Sequence, residues 1–259
     1  MKIPPVQWRF IALAILIFSL SVSGCARTVR DLSALSRRIV LQFSVQGQLA
    51  LNNPNVTYYV VVNAPPEPGR TLDPATEGPR INGTSLNDPP TFLIGRLPFT
   101  GLLPGDIASQ WTHFYYLQGS ADGQGVVGRG IRRSDGTPEV IQQNYPQALW
   151  SKPSQSTVEI QMLFSDLFAG SESFPENVVV HLASSDSIDT GQGYVYDWWR
   201  ANIPFEVRTA ANNTPIQDED PNPDLVMRQI PGKPFPQLPP GVNPADVNIF
   251  SYQFRVIEL

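Results

Sequence analysis

The chain has 259 residues, 18 basic against 23 acidic, a formal net charge of −5, one cysteine and two histidines. The lone cysteine excludes every disulfide framework and every cysteine-built metal site, and the mild acidity argues against nucleic acid as a partner. Its 26 prolines would break helices but suit turns, sheet edges and extended connectors.

The chain opens with Lys2 and Arg9, then the apolar run Phe10–Leu20, then the small residues Ser23-Gly24, which is the pattern of a signal peptide. This eleven-residue run, apolar but for Ser19, spans about 16 Å as a helix, roughly half of a hydrocarbon core, which predicts removal rather than a transmembrane anchor. Cys25 follows Leu20-Ser21-Val22-Ser23-Gly24 directly. The segment resembles the lipobox of bacterial lipoproteins, in which that cysteine is acylated and becomes the first residue of the mature chain. The resemblance implies a signal peptide over 1–24, lipid (palmitate and further acyl chains) on Cys25, the membrane as partner through that lipid, and a place in the bacterial cell envelope. One acyl chain holds only marginally, at about 0.8 kcal/mol per buried methylene, so firm anchoring needs several. In enterobacterial lipoproteins an Asp after the cysteine retains the protein at the inner membrane; Ala26 stands here and implies the outer membrane where the cell has one.

Residues 25–38 read as a lipidated basic tether or a short helix, with Thr28 as N-cap and Val29, Leu32 and Leu35 at helical spacing. Arg27, Arg30, Arg37 and Arg38 face only Asp31, so the segment is either a solvated tether or a patch for anionic headgroups worth about 1 kcal/mol per charge. From Ile39 the period changes to two. Ile39, Leu41, Phe43 and Val45 alternate with polar residues, Asn52-Asn53-Pro54-Asn55 makes a turn, and Thr57–Val62 answers as a strand apolar on both faces. Pro65–Pro90 carries no periodicity and reads as tolerated decoration or as a functional loop. Further strands are expected at Thr91–Ile94, Trp111–Gln118, Val126–Ile131, Val158–Phe164, Val178–Ala183, Tyr194–Trp199 and Phe205–Thr209, with one helical turn at Ser165–Phe168. A Pro-rich connector, Pro231–Pro244, leads to a closing strand in which Phe250, Tyr252, Phe254 and Val256 alternate with polar residues. Nothing calls for βαβ crossovers. The expected fold is all-β, a single antiparallel β-sandwich of about ten strands over 39–259, with its first and last strands paired. That pattern is similar to extracytoplasmic β-sandwich lipoproteins with no assigned activity.

Few residues invite chemistry. His113 and His181 both fall inside strands, where a partnered structural histidine is the expectation rather than a catalytic base. Gly123-Gln124-Gly125 with Gly128 and Gly130 lacks the spacing of a phosphate loop and reads as a turn entering a Gly-bearing strand. Asp186, Asp189 and Asp197 are solvated loop acids, ligands of calcium, the one metal the sequence suggests, or paired carboxylates for glycoside hydrolysis; Asp218-Glu219-Asp220 with Asp224 forms a second acidic cluster. Tyr194, Tyr196 and Trp198 share one face of an ideal strand. They make either sandwich core or a ladder of rings that stacks on a glycan. The expectation is a lipid-anchored envelope protein whose sandwich is a structural or binding module for an envelope protein or glycan, with no catalytic activity evident. The alternatives are a surface carbohydrate-binding module or a glycan-acting hydrolase.

Overall fold

The computed structural model describes residues 37–79, 110–136, 138–168, 174–186, 195–199, 201–207, 216–217 and 238–258. Twelve strands among these residues form two antiparallel sheets packed face to face, so the expected all-β sandwich stands. The first sheet holds β1 (Arg37–Val45), β6 (Trp150–Ser151), β7 (Thr157–Leu163), β11 (Ile216–Gln217) and β12 (Ile249–Glu258), in the order β11-β12-β1-β7-β6. The second holds β2 (Thr57–Asn63), β3 (His113–Gln118), β4 (Val126–Arg132), β5 (Pro138–Gln142), β8 (Asn177–Ser185), β9 (Val195–Trp198) and β10 (Ile203–Glu206). Its order is β10-β8-β2-β3-β4-β5, with β9 also pairing β8. Two single-turn helices, α1 (Phe164–Leu167) and α2 (Pro244–Val247), sit at opposite ends of the sandwich.

The alternation in β1 sends Ile39, Leu41, Phe43 and Val45 into the space between the sheets, where Tyr58, Val60 and Val62 of β2 meet them. The other face of β2 places Tyr59 and Val61 in a second buried cluster with Trp111, Phe114, Tyr116 and Ala183. All seven residues of β2 are buried, which is why it reads as apolar on both faces. On β4, Gly128 and Gly130 lie beneath this second cluster. A Cβ at Gly130 would stand 2.2 Å from the Phe114 ring and one at Gly128 2.3 Å from the Tyr116 ring, so both glycines are there for close approach.

The first and last strands pair as expected, Arg37 opposite Glu258 through Phe43 opposite Tyr252. A bulge then shifts the register, so Ile249 rather than Phe250 enters the core. The sandwich also claims the end of the basic tether, because β1 starts at Arg37. Arg37 pairs with Glu258 at 2.9 Å and lies 4.9 Å over the Phe164 ring, while Arg38 donates to Gln161 Oε1 at 2.7 Å. Two of the four arginines are thus spent inside the fold, and only Arg27 and Arg30 remain for a tether. Of the expected helix over 28–38, only Arg37 and Arg38 are among the described residues, and both are strand; the expected strand at Thr91–Ile94 lies outside them.

The opposite end is closed by α2. Its capping box joins Asn243 and Asp246. Three groups of the second sheet then hold the turn: Tyr58 Oη donates to the Asp246 carbonyl at 2.6 Å, Ser184 Oγ donates to the Val247 carbonyl at 2.6 Å, and Asp197 Oδ2 accepts from the Ile249 N–H at 2.7 Å.

Candidate functional site

At the end where β1 begins, the second sheet finishes in an open cleft of about 620 Å³. Its position follows from the register, because Val62 pairs His113, His113 pairs Ile131, and the Arg132 N–H bonds the Thr112 carbonyl. Gln110, Trp111 and His113 line it from β3 and the approach to it, and Arg132 and Arg133 from the end of β4; no carboxylate is among its described lining residues. The Arg132 guanidinium lies 5.8 Å over the Trp111 ring. Arg133 is held at its Nε by Glu139 Oε2 at 2.8 Å, and the turn below is closed by the Gly136 N–H donating to the Arg133 carbonyl.

Behind the cleft runs a buried polar network. His113 Nδ1 lies 2.8 Å from Thr112 Oγ1, and the ring also bonds the Asp166 backbone. Burial, reinforced by the nearby Arg129 charge, pushes His113 down to about 4, so the ring is neutral at pH 7. Arg129 pairs with Asp166 at 2.9 Å and donates to Gln142 Oε1. Burial raises the Asp166 carboxyl, and Arg129 pulls it back. Tyr145 Oη donates to the Gln161 carbonyl at 2.8 Å, and burial drives the neighbouring Tyr115 hydroxyl well above the usual phenol range. This network ties β3 and β4 to α1.

The outer flank carries a feature the sequence reading left undecided. Residues 65–79, the first part of the irregular Pro65–Pro90 stretch, are clamped by three asparagine side chains. Asn63 Nδ2 donates to the Glu77 carbonyl at 2.7 Å, Asn202 Nδ2 donates to the Pro74 carbonyl at 2.8 Å, and Asn177 exchanges two bonds with Leu72. Arg70 adds ion pairs to Glu67 and Glu77. His181 supports Asn202, its Nδ1 lying 2.8 Å from Asn202 Oδ1. Its Nε2 is buried with no partner, and burial pushes this ring too down to about 4. This part of the loop is therefore fastened to the sheet. Isolated asparagines in strand and loop segments gave no warning of it.

Cys25, Asp189 and Tyr194 lie outside the described residues. Asp186 and Asp197 are 8% and 5% exposed, so neither is a solvated loop acid. Asp197 accepts from the Ile249 N–H, and Asp186 Oδ1 accepts from Ser185 Oγ at 3.1 Å. No group of three His, Cys, Asp or Glu placed to hold a metal occurs among the described residues. The expected shared face of Tyr196 and Trp198 is broken by a bulge between Ser184 and Ser185, where Ser184 pairs Asp197 but Ser185 pairs Val195. The extra residue, Tyr196, turns into the core between the sheets, and Trp198 packs on the outer cluster with Tyr59 and Phe114. The two rings lie on opposite faces and form no ladder.

Fold and cleft together define a two-sheet antiparallel β-sandwich with a cation-lined opening at one end. Comparison with protein-family models, with curated proteins and with solved structures finds no match to this chain.

Proposed function

We propose that the chain is a lipid-anchored protein of the bacterial cell envelope whose sandwich serves as a binding module rather than an enzyme. The observation that carries this reading is Cys25 placed directly behind an apolar run and Ser23-Gly24, twelve residues before β1 begins. So short a spacer sets the sandwich just off the lipid, and Ala26 after the cysteine favours the outer membrane where one exists. Two features support binding over catalysis. His113 and His181 are bonded to Thr112 and Asn202, and Asp197 is engaged in holding a strand. The experiment is metabolic labelling of the full chain with a fatty acid, followed by membrane fractionation. The wild type should carry label in the membrane fraction, and Cys25→Ser should lose the label and the processing step. Wild-type protein without label, or a labelled Cys25→Ser chain, refutes the anchor.

A further inference from the structure

We propose that the cleft between Trp111 and the end of β4 binds a phosphate-type oxyanion, and that in the anchored protein it opens toward the bilayer. The first half rests on the cleft alone, and the second rests on the lipid-anchor reading.

Arg132 and Arg133 are consecutive, at the end of β4 and the start of the tight turn that joins it to β5. Their heads are placed by different devices. Arg132 rides over the Trp111 indole, which is itself 2% exposed and fixed in the outer cluster. Its Nη2 comes within 3.4 Å of where a Cβ of Gly136 would stand, and Gly136 has φ +85°, so glycine both makes the turn and leaves room for the guanidinium. Arg133 donates through Nε to Glu139, with the Asp135 charge also close to it, and its guanidinium lies on a side chain 54% exposed. Guanidinium forks match phosphate oxygens two at a time. Gln110 adds an amide to the same rim, and the neutral His113 sits on the lining without opposing a bound anion.

The cleft is open and, at about 620 Å³, has room for a larger molecule that carries the phosphate group. Geometry favours a headgroup. The register runs from Arg37, whose Nη2 reaches the Val207 carbonyl, through Val207 bonded to Glu176, to Asn63 and His113, so the cleft shares its end of the sandwich with the start of β1. Twelve residues separate Cys25 from Arg37, a reach of at most about 40 Å. In the lipid-anchored protein that tethers this end of the sandwich, and not the end closed by α2, near the bilayer surface.

The test uses the full chain in non-ionic detergent, titrated in a calorimeter with inorganic phosphate, with dihexanoylphosphatidylglycerol, and with dihexanoylphosphatidylcholine. Saturable binding of phosphate or phosphatidylglycerol is expected, weakened about tenfold or more in Arg132→Gln and in Arg133→Gln, the size of one lost charge-assisted hydrogen bond. Lys152→Gln, a change at an exposed residue toward the α2 end, should bind as wild type. Phosphatidylglycerol binding more tightly than phosphate and phosphatidylcholine supports both halves. Free phosphate binding as tightly as the lipid supports the oxyanion site and overturns its bilayer-facing assignment. No saturable heat at low-millimolar ligand, or unchanged affinity in both arginine variants, overturns the site. If Arg132→Gln fails to fold, Arg133→Gln decides, since that side chain is 54% exposed. Fatty-acid labelling reads the anchor separately, so a failure of the oxyanion site and a failure of the anchor are told apart.

Discussion

Acid should weaken this protein well before its carboxylates are protonated, and two histidines set the window. His113 and His181 are buried and held down to about 4, against an ordinary value of about 6.5 in an unfolded chain. Between those values the unfolded chain binds protons that the folded one refuses. Stability is therefore fully present above about pH 6.5, falls as pH drops toward 4, and is lost from these two groups below it. Full protonation corresponds to about 3 kcal/mol per histidine, and at pH 5 about 2 kcal/mol each has gone. A loss of about 4 kcal/mol is a large share of the 5–15 kcal/mol typical of a domain. Asp166, with its raised carboxyl, works in the opposite direction but near its own lower range, so it trims the effect only at the acid end. Urea unfolding of the full chain, followed by tryptophan fluorescence, should show a midpoint more than about 1 M lower at pH 5 than at pH 7.5. His181→Gln, which cannot titrate, should lose roughly half of that pH dependence whatever its stability at pH 7.5. A midpoint flat between the two pH values, or a His181→Gln variant with the full wild-type slope, would refute the claim that these rings are buried neutral.

Three further outcomes follow from the packing. Asp197→Ala removes the acceptor of the Ile249 N–H and should cost about 1–3 kcal/mol in urea unfolding, more than Asp197→Asn, which keeps an oxygen there. Gly130→Ala drives a methyl into the Phe114 ring and the Glu139 carbonyl, so it should destabilise by about 1–3 kcal/mol or block folding, while Gly123→Ala meets no atom and suffers only from its positive φ. A chain shortened to begin at Thr28 should remain monodisperse and β-rich by circular dichroism, because described strand structure starts only at Arg37; a helical spectrum would contradict it.

Strands were legible where one period governed the whole segment. β1, β7 and β12 bury alternate residues against a common core, so the sequence pattern and the buried face coincide. β2 and β8 were legible for another reason: both of their faces are buried, and runs such as Val60-Val61-Val62 and Val178-Val179-Val180 have no other home. β6 and β11 have two residues each and leave no period to read. β5 was passed over because Pro-Glu-Val-Ile-Gln is half polar and leaves Val140 and Ile141 exposed on the sheet edge. β10 begins before its expected start because Pro204 sits inside it. An edge strand paired only with β8 tolerates that proline, since no second neighbour needs its missing N–H.

Sites were harder to read than strands because side-chain direction fails at a bulge. Period-two reasoning puts Tyr196 and Trp198 on one face and Asp197 on the other, and it treats a buried Asp197 as costly. The cost argument is sound, and the fold answers it with the Ile249 N–H. The face argument fails because one extra residue between Val195 and Asp197 reverses every direction before it relative to those after it. Nothing in Tyr194-Val195-Tyr196-Asp197-Trp198 marks that extra residue. The same blindness applies to the cleft, whose arginines and Trp111 belong to paired strands yet carry no shared motif. An aromatic-rich strand thus became core on both sides, and the opening formed where β3 and β4 end, from residues that look ordinary one at a time.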